Sequence, residues 1–177
     1  MTVAAFLEVC MIKFVRIISP ILLVALMVNI FTLSHQPASV SSNTSSEVIR
    51  FLAEIFIKDF ENLSDAEQLE IISSLQFIVR KGAHFSTYFV LGIFSFFTFL
   101  TYTYPKFHWR SIISLSVCFA FSVSDEIHQL FVPGRSGEIR DVLIDTCGSL
   151  LSILILFLIF LAIEKKHNKK LFKGDIL

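Results

Sequence analysis

Four apolar stretches constrain the fold more strongly than any other feature of this sequence. They cover approximately residues 14–33, 85–104, 111–130 and 142–163. Each is long enough for an α-helix that crosses a bilayer, which needs about 20 mostly apolar residues. Lipid offers no hydrogen-bond partners to an exposed backbone, so such segments fold as helices. The sequence therefore predicts an all-α, polytopic membrane helix bundle with four transmembrane helices, forming a single membrane domain over residues 1–177.

Composition agrees with a membrane environment and narrows the function classes. Hydrophobic residues make up 54% of the chain, charged residues only 17%, and the mean hydropathy is +0.73. Soluble domains have roughly 25% charged residues. The formal net charge is zero, which argues against a nucleic-acid partner. The three cysteines, Cys10, Cys118 and Cys147, lack the spacing of a metal site, so we expect free thiols packed as small apolar residues.

The distribution of Lys and Arg predicts the orientation in the cell membrane, because cytoplasmic loops carry an excess of these residues. The short loop before the fourth span holds Arg135 and Arg140. The segments assigned to the opposite side hold Lys13, Arg16, Lys106, Arg110 and the five lysines of a tail at 164–177. An even number of spans returns the chain to its starting side, so we expect both termini in the cytoplasm. The first span, longer than a signal-peptide core of about 7–15 residues, is expected to be an uncleaved anchor.

An extracytoplasmic amphipathic segment is predicted at 34–82. It opens with the polar run SHQPASVSSNTSS, which is typical of a loop. Apolar residues then recur at helical spacing over 48–60, which predicts an amphipathic helix on the outer surface or over the bundle. A capping box, in which Ser64 caps and Glu67 reaches back, predicts the start of a second helix. That helix leads into the second span, with Gly82 as the place for a bend.

Ionisable and polar side chains gather near the outer ends of three spans. In the second span, Arg80, His84 and Tyr88 recur every four residues and share one helix face. At a rise of about 1.5 Å per residue, the three spans bring their polar groups to one shallow layer. The candidate site residues of this layer and its loop are Arg80, Lys81, His84, Tyr88, Asp125, Glu126, His128, Gln129, Arg135, Asp141 and Asp145.

This layer predicts a cavity that opens to the outside of the membrane. Charged groups within a membrane cost several kcal/mol unless they are paired or hydrated, so they face the bundle interior or a watery cavity. We expect Arg80, Lys81 and Arg135 near the rim and the four acids deeper. Glu126 lies about 100° around the helix from Asp125, so one of these two acids is expected to have a structural partner. The alternative is a network of interhelical salt bridges and hydrogen bonds without a ligand.

The same residues carry a resemblance to a known family. The runs RKGAHFSTYFVLG at 80–92 and SDEIHQLFVPGRSGEIRDVLIDTCGSLLS at 124–152 resemble the characteristic motifs of the VanZ-like family, and TLSHQ at 32–36 resembles its signal after the first span. Asp145 stands where that family often has Asn. The matching positions of the second motif are Asp125, Glu126, Gln129, Phe131, Pro133, Gly134, Arg135, Asp141, Val142, Asp145 and Gly148.

The resemblance implies a small bacterial membrane protein of the cell envelope with four or five helices. The named family member is linked to resistance to teicoplanin-type glycopeptides, which act on lipid-linked cell-wall precursors outside the membrane. The first hypothesis is accordingly a binding module for an anionic lipid head group, such as a prenyl phosphate or a cell-wall precursor. Its phosphate would be held by Arg80, Lys81, His84 and Arg135.

Two other classes of function stay open at this point. An enzyme acting on a lipid-linked phosphate would use Asp125 with His128, or His84 with a carboxylate, as acid and base. The chain has no GxSxG, HExxH or P-loop motif. A proton or ion pathway, or a scaffold, is the third class. The sequence predicts no metal site and no cofactor, with Mg²⁺ on the carboxylates as the alternative. It leaves the oligomeric state open.

Overall fold

The computed structural model of the protein describes residues 3–101 and 107–174, with side chains described over 10–101 and 107–166. The described residues are all-α, as predicted. Their helices are α1 (Val3–Ser34), α2 (Ala38–Phe56), a short 3-10 helix (Phe60–Asn62), α3 (Asp65–Thr101), α4 (Phe107–Gln129) and α5 (Ile139–Gly174).

Three of these helices are long and apolar enough to cross a membrane by length and composition. They are Cys10–Ser34 within α1, Asp65–Thr101, which is α3, and Ile139–Lys166 within α5. The predicted spans at 14–33 and 142–163 lie inside them. Part of the span at 85–104 does too, although its last residues, 102–104, lie outside the described part of the chain. The chain is therefore a multi-pass membrane protein.

The prediction of four such helices is wrong by one, at 111–130. This stretch corresponds to α4, which does not reach the hydropathy of a spanning helix. The reason is that α4 contains five serines as well as Asp125 and Glu126. Four of these polar side chains are buried against neighbouring helices, namely Ser114, Ser122, Asp125 and Glu126. The polar residues of α4 therefore serve contacts within the bundle, and they lower the hydropathy of the helix.

Contacts between the helices give their relative directions. The Ser95 hydroxyl donates to the Ser114 carbonyl, and the Tyr88 and Phe121 rings lie 6.2 Å apart, so α3 and α4 are antiparallel. The end of α1 and the start of α5 both lie at the end of the bundle to which α4 runs. This geometry directs the start of α1 and the far end of α5 toward the opposite end. The cytoplasmic placement of the termini stays a prediction.

The polar run after α1 is mostly helical, contrary to the predicted loop. Helix α2 begins at Ala38, directly after Pro37. Thr44, Ser45 and Ser46 donate their hydroxyl hydrogens to carbonyl oxygens four residues earlier, so these side chains find partners within the helix itself. The amphipathic pattern at 48–60 predicted the second half of α2, which ends four residues sooner, at Phe56.

The predicted capping box at the start of α3 is confirmed. The Ser64 backbone N–H donates to the Glu67 carboxylate at 2.9 Å, and the Ser64 hydroxyl donates to the same oxygen at 2.7 Å. The Glu67 N–H in turn donates to the Ser64 hydroxyl oxygen at 3.4 Å. Helix α3 then continues unbroken through Gly82.

Two glycines let the backbones of α3 and α5 approach closely. A Cβ atom built on Gly148 would lie 2.3 Å from the carbonyl oxygen of Phe85 in α3. A Cβ atom on Gly92 would lie 2.8 Å from the carbonyl oxygen of Ser149 in α5. Small residues permit this close packing between membrane helices. The positions of these glycines therefore fix the register of α3 against α5.

The interior of the bundle differs between its two ends. A middle cluster contains Leu23, Ile30, Tyr88, Leu91 and Cys118. Toward the end of α3 lies an aromatic cluster whose members are Phe96, Phe97, Phe107, Phe157 and Phe160. The opposite end holds the polar residues. All three cysteines are free thiols, as expected, although only Cys118 is buried.

Candidate functional site

Four carboxylates lie buried where α3, α4 and α5 meet. The exposed fraction is 1% for Asp125, 5% for Glu126, 1% for Asp141 and 0% for Asp145. Acids are almost never fully buried unless they have partners. We call this region the polar layer, and it also contains Ser34, Lys81, His84, Ser122, Gln129, Arg135 and Glu138.

Lys81 neutralises one of these acids. Its ammonium group is in direct contact with the Asp141 carboxylate and lies 3.4 Å from a carboxylate oxygen of Glu138. From the sequence we expect Lys81 near the rim of the cavity and Asp141 deeper. In the structure the two side chains form an ion pair between α3 and the start of α5. In a buried ion pair of this kind, each partner matters mainly because its removal would leave the charge of the other partner buried and uncompensated.

His84 contacts a second acid, one helical turn deeper. Its Nδ1 atom lies 3.3 Å from Oδ1 of Asp145. The other oxygen of Asp145 accepts a hydrogen bond from the Ser122 hydroxyl at 3.0 Å. Tyr88 is buried beside them, with only 1% of its surface exposed. Asp145 therefore links α3, α4 and α5 through its two oxygens.

Asp125 and Glu126 have separate structural partners, in line with their different directions on α4. Oδ2 of Asp125 accepts a hydrogen bond from the Ser34 hydroxyl at 2.7 Å, which ties α1 to α4. Glu126 accepts the backbone N–H of Glu138 at 2.9 Å, just before α5 begins. The Gln129 side-chain amide donates to both acids at 3.2 Å.

Arg135 holds the loop between α4 and α5 against the end of α1. Its guanidinium donates to the carbonyl oxygens of Gln36 at 2.8 Å and Leu33 at 3.1 Å, and to the Gln129 side chain at 3.3 Å. The preceding Gly134 has a φ of 73°, a conformation that glycine adopts without strain. Burial lowers the pKa of Arg135 from its ordinary value, and the positive charge of nearby Arg80 lowers it further.

A cavity of about 270 Å³ lies between α1, α2, α3 and Arg135. We call it the α1–α3 cavity. Its polar wall includes Arg80, His84, Arg135 and hydroxyl groups of α2. Its apolar wall includes Ile30, Leu33, Val48 and Val79.

Arg80 is the charged group of this cavity that has no partner among the described residues. The described part of the chain offers it no hydrogen bond or ion pair, and its buried Nε atom is unsatisfied. It also lines a second, more polar cavity of about 360 Å³ next to Lys81 and Arg140. A guanidinium carries five N–H donors and cannot lose its charge in a protein. Arg80 is therefore available to an anion from outside the chain.

The structure places His128 outside the polar layer. Its Nε2 atom lies 3.2 Å from Nδ1 of His35, and its ring stacks on Phe31 with centroids 4.2 Å apart. The acid–base pair of Asp125 with His128, one of the two considered from sequence, is therefore not assembled. The pair of His84 with a carboxylate is present, with Asp145.

Sequence reasoning did not include several members of the site. Ser34 belongs to the TLSHQ motif, which does not predict that its hydroxyl donates to Asp125. Ser122 lies three residues before Asp125, on the same face of α4, and this spacing was a usable signal. The hydroxyl residues of α2 that line the cavity, Ser41, Thr44 and Ser45, were assigned to a loop. These hydroxyl residues line the cavity because of the way α2 packs over α3. The spacing of residues within one helix does not reveal such packing.

Three side chains of the polar layer have the types and positions of metal ligands. His84, Glu126 and Asp145 each offer one ligand atom, and these atoms all lie within 4.8 Å of one another. An imidazole and carboxylates are common ligands of divalent ions.

The fold and the site together define a helical, multi-pass membrane protein with a buried acidic layer beside a cavity that two arginines line. The VanZ/LLP1 family model matches residues 20–161 of the 177, and the chain belongs to this family. The match includes α2, the polar layer and most of α5. No curated protein and no solved structure matches the chain.

Proposed function

We propose that the protein binds the anionic head group of a lipid, a prenyl phosphate or a lipid-linked cell-wall precursor, in the α1–α3 cavity. The observation that carries this proposal is the unpartnered guanidinium of Arg80, which shares the cavity with Arg135. Two positive side chains around one cavity repel each other, and an anion between them removes that repulsion. Guanidinium groups bind phosphate oxygens through two parallel hydrogen bonds.

The apolar wall of the same cavity favours a lipid over a soluble anion. Ile30, Leu33, Val48 and Val79 lie beside the arginines, so a head group at Arg80 would have its chain next to aliphatic side chains. Helix α1 is exposed along much of its apolar length, including Val24, Val28 and Phe31. Lipid chains would lie against this surface of α1.

The distribution of Lys and Arg supports an outward-facing cavity in the cell envelope. In that orientation the protein would meet the head groups on which teicoplanin-type glycopeptides act. Binding of such a precursor would change its access to the antibiotic. The corresponding expectation is a shift in teicoplanin susceptibility when the protein is expressed, and loss of that shift when Arg80 is replaced.

An enzyme acting on a lipid-linked phosphate is the second candidate. It is favoured by the His84–Asp145 contact, because His84 also lines the cavity. A histidine next to a buried carboxylate is a common acid–base arrangement. The test is product formation from a polyprenyl phosphate, measured by mass spectrometry. If the wild type forms a product by catalysis at His84, the His84→Gln variant should form none. If no catalysis occurs, the lipids incubated with the wild type and with the variant should have the same composition.

Lipid retention tests the binding proposal directly. The purified protein is incubated with polyprenyl phosphate or with the uncharged polyprenol of equal length, and bound lipid is measured by native mass spectrometry. We expect the protein to retain the polyprenyl phosphate and not the polyprenol. Arg80→Gln should weaken retention by about tenfold or more, since a hydrogen bond to a charged group is worth about 1.5–3 kcal/mol.

Arg140→Gln is the matched control, because Arg140 is exposed at the same end and lies outside the α1–α3 cavity. It should retain the phosphate as the wild type does. Equal retention of the phosphate and the polyprenol by the wild type would refute a head-group site. Equal losses in the two arginine variants would mean that the lipid is held outside the α1–α3 cavity, by the charges around the second cavity.

A further inference from the structure

We infer that His84, Glu126 and Asp145 bind a divalent transition-metal ion between α3, α4 and α5. The three ligand atoms converge from three different helices to within 4.8 Å of one another. Glu126 and Asp145 are buried, and the His84 side chain is only 17% exposed. The site therefore lies inside the bundle, with His84 between it and the α1–α3 cavity.

An unsatisfied atom in the centre of this group points to a ligand. Oδ1 of Asp145 is fully buried and has no hydrogen-bond partner among the described residues. Nδ1 of His84 lies 3.3 Å from this oxygen, without the geometry of a hydrogen bond. A buried carboxylate oxygen that accepts no hydrogen bond is costly. A cation beside Oδ1 would remove that cost.

The distance between these two atoms fits joint coordination. Two ligands at about 2.1 Å from one ion, at roughly 90–109° to each other, lie about 3.0–3.4 Å apart. The observed separation of His84 and Asp145 is 3.3 Å. Ligands on opposite sides of such an ion lie about 4.2 Å apart. The three ligand atoms here lie within 4.8 Å of one another, so small rotations of their side chains would bring all three onto one ion.

The hydrogen bonds of Glu126 are compatible with this role. One of its oxygens accepts the Glu138 N–H, and the other accepts the Gln129 amide. Each carboxylate oxygen has two lone pairs, so Glu126 retains capacity for a metal bond. The two donors orient the carboxylate from behind, as partners of metal ligands commonly do.

The ligand set indicates the class of metal. Oxygen ligands alone favour Mg²⁺ or Ca²⁺, whereas an imidazole suits Zn²⁺ and related transition metals. One imidazole with two carboxylates is therefore expected to bind Zn²⁺ or Mn²⁺ in preference to Mg²⁺. The ion would also offset the negative charges of Glu126 and Asp145. This inference does not depend on lipid binding and is tested without lipid.

The experiment measures metal content. The protein is purified in detergent with a tag that lacks histidines, stripped with a chelator, exposed to ZnCl₂ or MnCl₂, desalted and analysed by plasma mass spectrometry. We expect about one equivalent per chain for the wild type, in line with one set of three ligands. His84→Gln and Asp145→Asn should each lower the affinity by tenfold or more. His128→Gln, which alters an imidazole outside the trio, should bind as the wild type does.

A Co²⁺ titration of the wild type gives a second readout that needs no variant. Co²⁺ bound by nitrogen and oxygen ligands should produce visible absorption bands that Zn²⁺ removes by competition. Absence of these bands together with negligible retained Zn²⁺ and Mn²⁺ would overturn the inference. Undiminished metal in both His84→Gln and Asp145→Asn would overturn it as well, because the ion would then lie elsewhere.

Discussion

The two ends of the α3–α4–α5 bundle are built from opposite kinds of contact. At one end, the polar layer joins the helices through ion pairs and hydrogen bonds such as Lys81–Asp141 and Ser122–Asp145. At the other, the aromatic cluster joins the same helices through ring contacts, including the stack of Phe107 on Phe157 at 5.0 Å. Both ends hold the bundle together, and the charged groups of the polar layer lie beside the α1–α3 cavity.

The difference shows which end is specialised. Aromatic packing depends on volume and tolerates apolar replacements of similar size. A buried charge requires a particular partner at a particular place, and removal of either partner leaves an uncompensated group. A bundle that needed only cohesion would be served by the first kind of contact. The polar layer is therefore the end for which we propose a role beyond holding helices together.

Lys81→Met should produce the largest effect at the polar end. The substitution leaves the Asp141 carboxylate buried without its cation, and the free energy of unfolding should fall by about 3–5 kcal/mol. Unfolding in detergent followed by circular dichroism measures this. Lys165→Met removes an equal charge from an exposed position on α5 and should have little effect. A loss below about 1 kcal/mol for Lys81→Met would mean that Asp141 is well hydrated.

Ser34→Ala should have an intermediate effect. It removes the 2.7 Å hydrogen bond to buried Asp125 and should lower the free energy of unfolding by about 1–3 kcal/mol. Thr32→Ala is the control, because the Thr32 hydroxyl bonds only within α1, to the Val28 carbonyl. Equal losses in the two variants would show that the link between α1 and α4 contributes nothing specific.

Phe96→Leu tests the tolerance of the aromatic end. Phe96 is fully buried, but leucine retains most of its apolar volume, so the expected loss is under about 1.5 kcal/mol. The same unfolding assay applies. If this variant proved as damaging as Lys81→Met, the contrast between the two ends would fail.

The smallest effect should be the interaction energy in the double variant Lys81→Met/Phe96→Leu, which is the difference between its loss of stability and the sum of the two single losses. Lys81 and Phe96 lie about four helical turns apart on α3, so their losses should add to within about 0.5 kcal/mol. Lys81→Met combined with Asp141→Asn should instead deviate from additivity. Strong coupling between the two ends would contradict their independence.

Sequence patterns were informative where a single helix carries the signal. Hydropathy located α1, α3 and α5, and the capping box located the start of α3. Spacing along α3 and α5 brought Lys81, His84, Asp141 and Asp145 into one proposed layer. In each case the periodicity of one helix was enough.

Predictions from sequence failed where neighbouring helices decide the outcome. The apolar run at 111–130 predicts a spanning helix, but the buried serines of α4 serve packing and lower its hydropathy. The serine-rich start of α2 predicts a loop because serine favours turns, although serine hydroxyls can also bond within a helix. His128 shares a helix with Asp125, yet its contacts with α1 direct it away from the acids.

The glycines of α3 and α5 have a consequence for motion. At Gly92 and Gly148 the backbones of α3 and α5 lie closer than a Cβ atom would allow, so sliding of one helix along the other would bring side chains into these close contacts. The α1–α3 cavity has α3 as its fixed wall, while its other wall belongs to α1 and α2. Widening that admits a bulky guest would therefore come from displacement of α1 and α2. Such a displacement would break the Ser34–Asp125 hydrogen bond and the hydrogen bonds from Arg135 to the Leu33 and Gln36 carbonyl oxygens.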